Sequence, residues 1–259
     1  MKRKLLYRLS VAIGATLMFS SCFTDVDNYE APSSVMTGNV IDKTTGKNIL
    51  TSTDDFQIRI WETSWGDAVS PQNIPVKQDG TYQNVRLFDA TYAMQPFNGP
   101  FWPVERTEGH VLKGTLNKDF EVTPYLQITD LTWKVVTTTK DDGTKVDTLH
   151  MSCKLKAPVT EGLPNVREIK PFISWTPFCG AGANIGEISE QNNNANKIEL
   201  NKTWADIGDM ATGIGRDTYR FKLGLIKNSG YTYRTRIGAN VNDASQKYNY
   251  SEIIEFKVE

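Results

Sequence analysis

The chain offers little that could do covalent chemistry. His110 and His150 are its 2 histidines, and neither has a second histidine at helical spacing or a cysteine pair beside it, so a zinc hydrolase lacks its ligands. No Gly-x-Ser-x-Gly elbow is present to raise a serine nucleophile. Gly180, Gly182 and Gly186 suggest a phosphate-cradling loop, but the Lys-Ser/Thr pair and the following helix that such a loop needs are missing. A glycosidase would need two carboxyl groups held across a sugar ring, one of them with a raised pKa. The neighbouring acids here, Asp54-Asp55, Asp141-Asp142 and Glu187 with Glu190, all fall in predicted turns, where carboxylates are solvated. The residues therefore predict a protein that is not an enzyme and that uses no metal and no cofactor.

Aromatic side chains remain. Phe97-Asn98-Gly99-Pro100-Phe101-Trp102-Pro103 places adjacent rings between two prolines, and a ring fixed in this way stacks on a sugar face or an apolar side chain with little loss of rotamer entropy. Phe101 and Trp102 are thus candidate ligand-binding residues; packing in a seam between domains is the competing expectation. Trp65, between Thr63-Ser64 and Gly66-Asp67, is the third candidate. Trp61 lies on the polar side of its strand, whereas Trp133 and Trp175, inside strand patterns, are expected in the core. Asp147-Thr148-Leu149 matches a short bacterial O-glycosylation acceptor.

The start of the chain sets the compartment. Lys2, Arg3, Lys4 and Arg8 precede an apolar run from Leu9 to Phe19, well short of the ~20 residues that span a bilayer. Ser20-Ser21-Cys22 then resembles a lipobox, with small residues before the cysteine; acylation of Cys22 is expected to anchor the chain, since each buried methylene contributes about 0.8 kcal/mol. Asp25, Asp27 and Glu30 resemble the acidic export tag of surface lipoproteins in Bacteroidota. Residues 1–21 read as the signal peptide and 22–34 as a lipidated acidic tether.

The remainder is long enough for two ordinary domains, and with 39% hydrophobic and 10% aromatic residues it can build packed cores. Net charge is −1; without the four basic residues of the leader, 25 basic residues face 30 acidic ones, a balance of −5 that offers no broad footprint for nucleic acid. Cys153 and Cys179 are left over once Cys22 is lipidated, and spacing does not decide whether they pair.

From Met36 onward, short β-branched and aromatic runs alternate with turn signals such as Thr45-Gly46, Asp79-Gly80 and Asp142-Gly143, the grammar of an all-β chain. Strands are expected over 35–42, around 56–60, at 81–82 and 91–96, and at 120–123, which Pro124 closes. A second set follows at 126–139, 145–155, 169–177, 197–200, 219–226, 231–239 and 253–258, with a helical turn near 203–210. Seven such short strands suggest an immunoglobulin or fibronectin-type sandwich.

Gly38-Asn39-Val40-Ile41-Asp42-Lys43-Thr44-Thr45-Gly46-Lys47 resembles the opening hairpin of carboxypeptidase-regulatory-like, transthyretin-like sandwiches. Asp79-Gly80-Thr81-Tyr82, Leu87-Phe88-Asp89-Ala90-Thr91-Tyr92, Gly99-Pro100-Phe101-Trp102-Pro103 and Asp119-Phe120-Glu121-Val122-Thr123-Pro124-Tyr125 are similar to a two-domain family of uncharacterised Bacteroidota lipoproteins, encoded beside SusC-like and SusD-like pairs. The resemblance implies two β-sandwiches, 35–124 and 125–259, on an outer-membrane surface lipoprotein. It implies an accessory binding subunit, for an oligosaccharide or peptide, beside a SusC-like transporter and a SusD-like lipoprotein. A purely structural subunit of that complex is the alternative, and a glycoside hydrolase a remote one.

Overall fold

The computed structural model describes residues 30–53, 55–66, 69–184, 196–224 and 231–258. The leader, Cys22, Asp25, Asp27, Asp54, Gly186, Glu187, Glu190, the asparagine run at 192–194 and the turn at 228–230 lie outside them, as does the side chain of Trp65.

β1 (Ser34–Asp42) shows why the first half folds as a sandwich: its buried positions alternate strictly with half-buried ones, so Met36 and Val40 face one side. Each such buried side chain contributes about 1.5–3 kcal/mol. β2 (Gln57–Glu62), β3 (Gln72–Pro75), β4 (Thr81–Leu87), β5 (Ala90–Phe97), β6 (Thr107–Leu112), β7 (Thr115–Asn117) and β8 (Phe120–Val122) follow. The Asp-Gly turn before β4 forms as expected: Gly80 takes φ 81°, and Asp79 Oδ1 accepts hydrogen bonds from the Thr81 amide at 3.0 Å and hydroxyl at 2.7 Å. One sheet runs β4-β1-β7 with β8 also on β1; the other runs β3-β2-β5-β6. Met36, Val40, Ile58, Ile60, Tyr82 and Met94 are buried between them.

β1 pairs in parallel with both β7 and β8, which lie far along the chain. No local signal announces such a pairing, and β7 lies outside the expected strands. So do β3 and β6, whose exposed positions mask the alternation.

The second half contains β9 (Gln127–Thr139), β10 (Lys145–Lys156), β11 (Val166–Ser174), β12 (Ile198–Lys202), α1 (Trp204–Ile207), β13 (Tyr219–Gly224), β14 (Thr232–Val241), β15 (Tyr248–Tyr250) and β16 (Ile254–Lys257). A three-stranded sheet, β13-β10-β9, faces a five-stranded one, β12-β11-β14-β15 with β16 also on β14. Leu149, Met151, Phe221, Tyr233 and Ile237 fill the space between. α1 is a single turn, closed by a capping box in which Thr203 and Asp206 satisfy each other's backbone amides.

The chain is therefore all-β, two sandwiches in tandem, and both lie in one compact unit, Ser33–Glu259. No helix among the described residues is long and apolar enough to cross a membrane.

Two expectations fail on strand position. Trp133 is 43% exposed, because β9 is an edge strand and the ring lies at the sheet margin, 5.6 Å from Phe256. Thr148 is buried in β10, the central strand, with Asp147 and Leu149 beside it, so the folded protein does not present that motif to a glycosyltransferase. Trp175 packs on the second core, against Tyr231 and Tyr233.

Candidate functional site

The two sandwiches meet along a polar seam. From the first, Gln78 reaches the loop after β11: its amide donates to Pro177 O at 2.9 Å and accepts from the Cys179 amide at 2.8 Å. Ser52 Oγ accepts from the Gly182 amide at 3.0 Å. Beyond β8, Asn249 accepts from the Leu126 amide at 3.0 Å and donates to Pro100 O at 2.9 Å. These side chains satisfy backbone groups that would otherwise be stranded where the two domains exclude water.

Arg236 sits at the centre. It lies on β14, is 0% exposed, and stacks its guanidinium over Tyr250 at 3.8 Å. Nη2 donates to Thr51 O at 2.7 Å, while Nε and Nη1 have no hydrogen-bond partner among the described residues. Burial pulls the guanidinium pKa down, and the neighbouring Tyr250, Cys179 and Asp55 oppose that shift without cancelling it. Asp55 is itself buried, accepting from the Ser52 amide at 3.1 Å and facing Lys247 at 3.8 Å. The guanidinium can lie there because Gly180, at φ 146°, has no side chain: a Cβ would stand 2.5 Å from Nη2.

Over this arginine opens a cleft of about 620 Å³, shared by both sandwiches and lined by Leu50, Val76, Lys77, Gln78, Asp79, Phe178, Arg236, Glu252 and Ile253 among others. That volume falls in the range of small-ligand sites. Phe178 is 54% exposed at its edge, held by Pro177 before it and the Gln78 hydrogen bonds on either side. A mostly apolar floor, one free ring and a rim of amide, ammonium and carboxylate groups suit a ligand with one flat apolar face and several hydroxyls.

The residues expected to bind fare differently. Phe101 is 4% exposed and packs edge-on against Phe56 at 5.2 Å; its ring has no face left for a ligand, which corrects its assignment. Trp102 is half-buried, 5.3 Å from Tyr125 and packed on the second core, the seam position of the competing expectation, whereas Phe101 belongs to the first core. Phe97 is covered by the Arg59 guanidinium at 3.5 Å, and Trp61 by that of Arg106 at 4.5 Å. Trp65 ends a short 3-10 turn, Thr63–Trp65, with its side chain outside the description.

Phe178, Gln78 and Arg236 were not singled out by sequence. Pro177-Phe178 carries the same signature as the Phe101 loop, a ring beside a proline, but Pro177 ends the expected strand 169–177 and Phe178 falls just past it. Arg236 is invisible in principle, since burial of a charge depends on what the other domain lays over it.

Cys153 and Cys179 are free and buried, and burial pushes both thiols up to about 12, which leaves them inert. His110 is hydrogen-bonded to Thr107 Oγ1 at 2.7 Å. Among the described residues no group of three or more His, Cys, Asp or Glu could hold a metal ion.

Fold and seam define a class: a tandem β-sandwich protein with a ligand-sized cleft across its domain boundary. Residues 34–123 match the N-terminal domain of a protein family of unknown function, DUF3823, and residues 134–255 match the C-terminal domain, DUF3823_C. The chain belongs to the DUF3823 family. A DUF3823 family protein from Bacteroides uniformis has the same fold (TM-score 0.67, 21% identity, 88% of this chain and 100% of that one). Another, from Parabacteroides merdae, gives 0.62 at 19% identity over 88% and 100%. A protein described as a "putative carbohydrate binding protein", also from Bacteroides uniformis, gives 0.66 at 19% identity over the same shares. No curated protein matches the chain.

Proposed function

We propose that this protein is a lipid-anchored surface lipoprotein that binds an oligosaccharide in the seam cleft, as an accessory subunit of a SusC/SusD-like importer. The observation that carries the binding half is the exposed Phe178 ring over a cleft of about 620 Å³. The description of a same-fold relative as carbohydrate-binding supports the choice of ligand. Support for the anchor is the Ser20-Ser21-Cys22 motif, and for the outer face the acids behind it.

The test is a panel of neutral oligosaccharides titrated against the full chain and against Phe178→Ala. Removing a stacking ring of this kind costs about 1–1.5 kcal/mol, roughly tenfold in Kd. A wild-type protein that binds no member of the panel, or an alanine variant with unchanged affinity, removes the cleft as the site; co-purification with a transporter despite that result leaves the structural-subunit reading. Metabolic labelling with palmitate tests the anchor: Cys22→Ala should abolish incorporation, and continued labelling refutes acylation at that thiol.

A further inference from the structure

The outer face of the three-stranded sheet carries a charge pattern that folding alone does not explain. Register places Lys134, His150 and Lys222 in one cross-strand row, on β9, β10 and β13, and Thr132, Ser152 and Arg220 in the next. Lys134, Arg220 and Lys222 are exposed, and His150 and Ser152 half-buried. With strands about 4.8 Å apart, the two lysines stand about 10 Å from each other across the imidazole, and Arg220 about 7 Å from Lys222 along β13. Like charges gathered on one face repel one another. Yet among the described residues none of these three cations makes an ion pair; the acid on this face, Asp130, lies 3.9 Å from a fourth cation, Lys154. The row sits on a chain whose net charge is −1, so it is a local concentration of positive charge and not a reflection of composition.

We propose that this face binds an acidic polysaccharide, with Lys134, Lys222 and Arg220 pairing to carboxylates or sulfates along the chain and the Thr132 and Ser152 hydroxyls meeting sugar hydroxyls. Those hydroxyls already face each other at 2.7 Å, in a shallow groove of about 300 Å³ that also borders Lys134, His150 and Arg220. Partial burial, then Lys222 and Lys134, push the His150 imidazole below its usual pKa, so near neutral pH it is an uncharged hydrogen-bonding group between the cations. The two rows hold no Phe, Tyr or Trp to stack a nucleobase and no large apolar side chain to enter a membrane; Trp133, Met151 and Phe221, which also border the groove, alternate to the other side of the sheet, where Trp133 meets Phe256 and the other two lie in the core. The choice of a polysaccharide among polyanions rests on the carbohydrate-binding reading above, but the face is separate from the cleft.

The experiment is affinity electrophoresis of the full chain through gels containing polygalacturonate, chondroitin sulfate, or neutral amylopectin as control. Wild type should be retarded by at least one acidic polymer, less so as salt rises, and Lys134→Ala/Arg220→Ala/Lys222→Ala should weaken that retardation at least tenfold while melting at the wild-type temperature. Lys222→Glu, a single exposed change, should weaken it in the same direction. Phe178→Ala should leave it intact, so loss of neutral-glycan binding in that variant and loss of acidic-polymer binding in the triple variant fail independently. Migration unchanged by both acidic polymers overturns the proposal, as does a triple variant retarded like wild type. Equal affinity for duplex DNA or for phosphatidylglycerol vesicles overturns the assignment to polysaccharide.

Discussion

Replacing Gly180 by alanine should loosen the seam on which the cleft is built, and the size of the effect can be worked from the structure. Gly180 takes φ 146°, and a Cβ there would stand 2.5 Å from Arg236 Nη2 and 2.7 Å from both Cβ and Oγ of Ser52. Neither neighbour can swing away, since Arg236 and Ser52 are both 0% exposed. Conformational strain for an L-residue in this region costs about 1–3 kcal/mol, and forcing extra volume into a packed site another 1–3 kcal/mol or so. The total is about 4 kcal/mol, a large part of the roughly 5–15 kcal/mol that holds a folded protein together. At about 2–4 °C per kcal/mol for a chain of this size, the melting temperature should fall by about 8–16 °C. Gly46→Ala is the control: Gly46 also has positive φ, 71°, but nothing lies within 4 Å of its Cβ position, so about 1 kcal/mol is expected from backbone strain alone. Thermal and urea unfolding of both variants gives the difference, which isolates the clash at the seam. If Gly180→Ala melted within about 2 °C of Gly46→Ala, the guanidinium would not be packed against that backbone and the account of Arg236 would be wrong.

Other consequences can be measured directly. In a Cys22→Ala chain, Cys153 and Cys179 should resist a thiol reagent in the native state and react on unfolding, because burial holds both thiols up to about 12; rapid native labelling would show that the cores open. Asp209 accepts hydrogen bonds from the Thr212 amide and hydroxyl and the Ala211 amide, which hold its carboxyl below the usual carboxylate range. A depressed folded pKa means stability present above the unfolded value and lost as pH falls through the folded one, so Asp209→Asn should narrow the gap between urea midpoints at neutral pH and at about pH 3; an unchanged gap would remove the loop from acid sensitivity. Tyr82→Phe deletes a buried hydroxyl that donates to Lys118 O, and should cost about 1–2 kcal/mol in urea unfolding; a neutral result would mean that water replaces the hydroxyl.

Local rules were legible in the residues. Asp79-Gly80 and Asp142-Gly143 fix their turns because glycine accepts a positive φ, and the period of two in Met36, Gly38 and Val40 fixes which side of β1 is buried. All-β tandem sandwiches follow from such signals. What the sequence left open depends on distant partners: β7 and β8 on opposite halves of β1, Trp133 at a sheet margin and Thr148 in a sheet centre, Phe101 turned inward and Phe178 outward. Two loops with the same proline-stiffened aromatic signature had opposite fates, because one lies under the second sandwich and the other at the rim of the cleft. The sequence by itself determined the strands and turns, through backbone preference and pleat alternation. Only the tertiary structure decided which rings and charges are free, because exposure is set by what another part of the chain brings alongside.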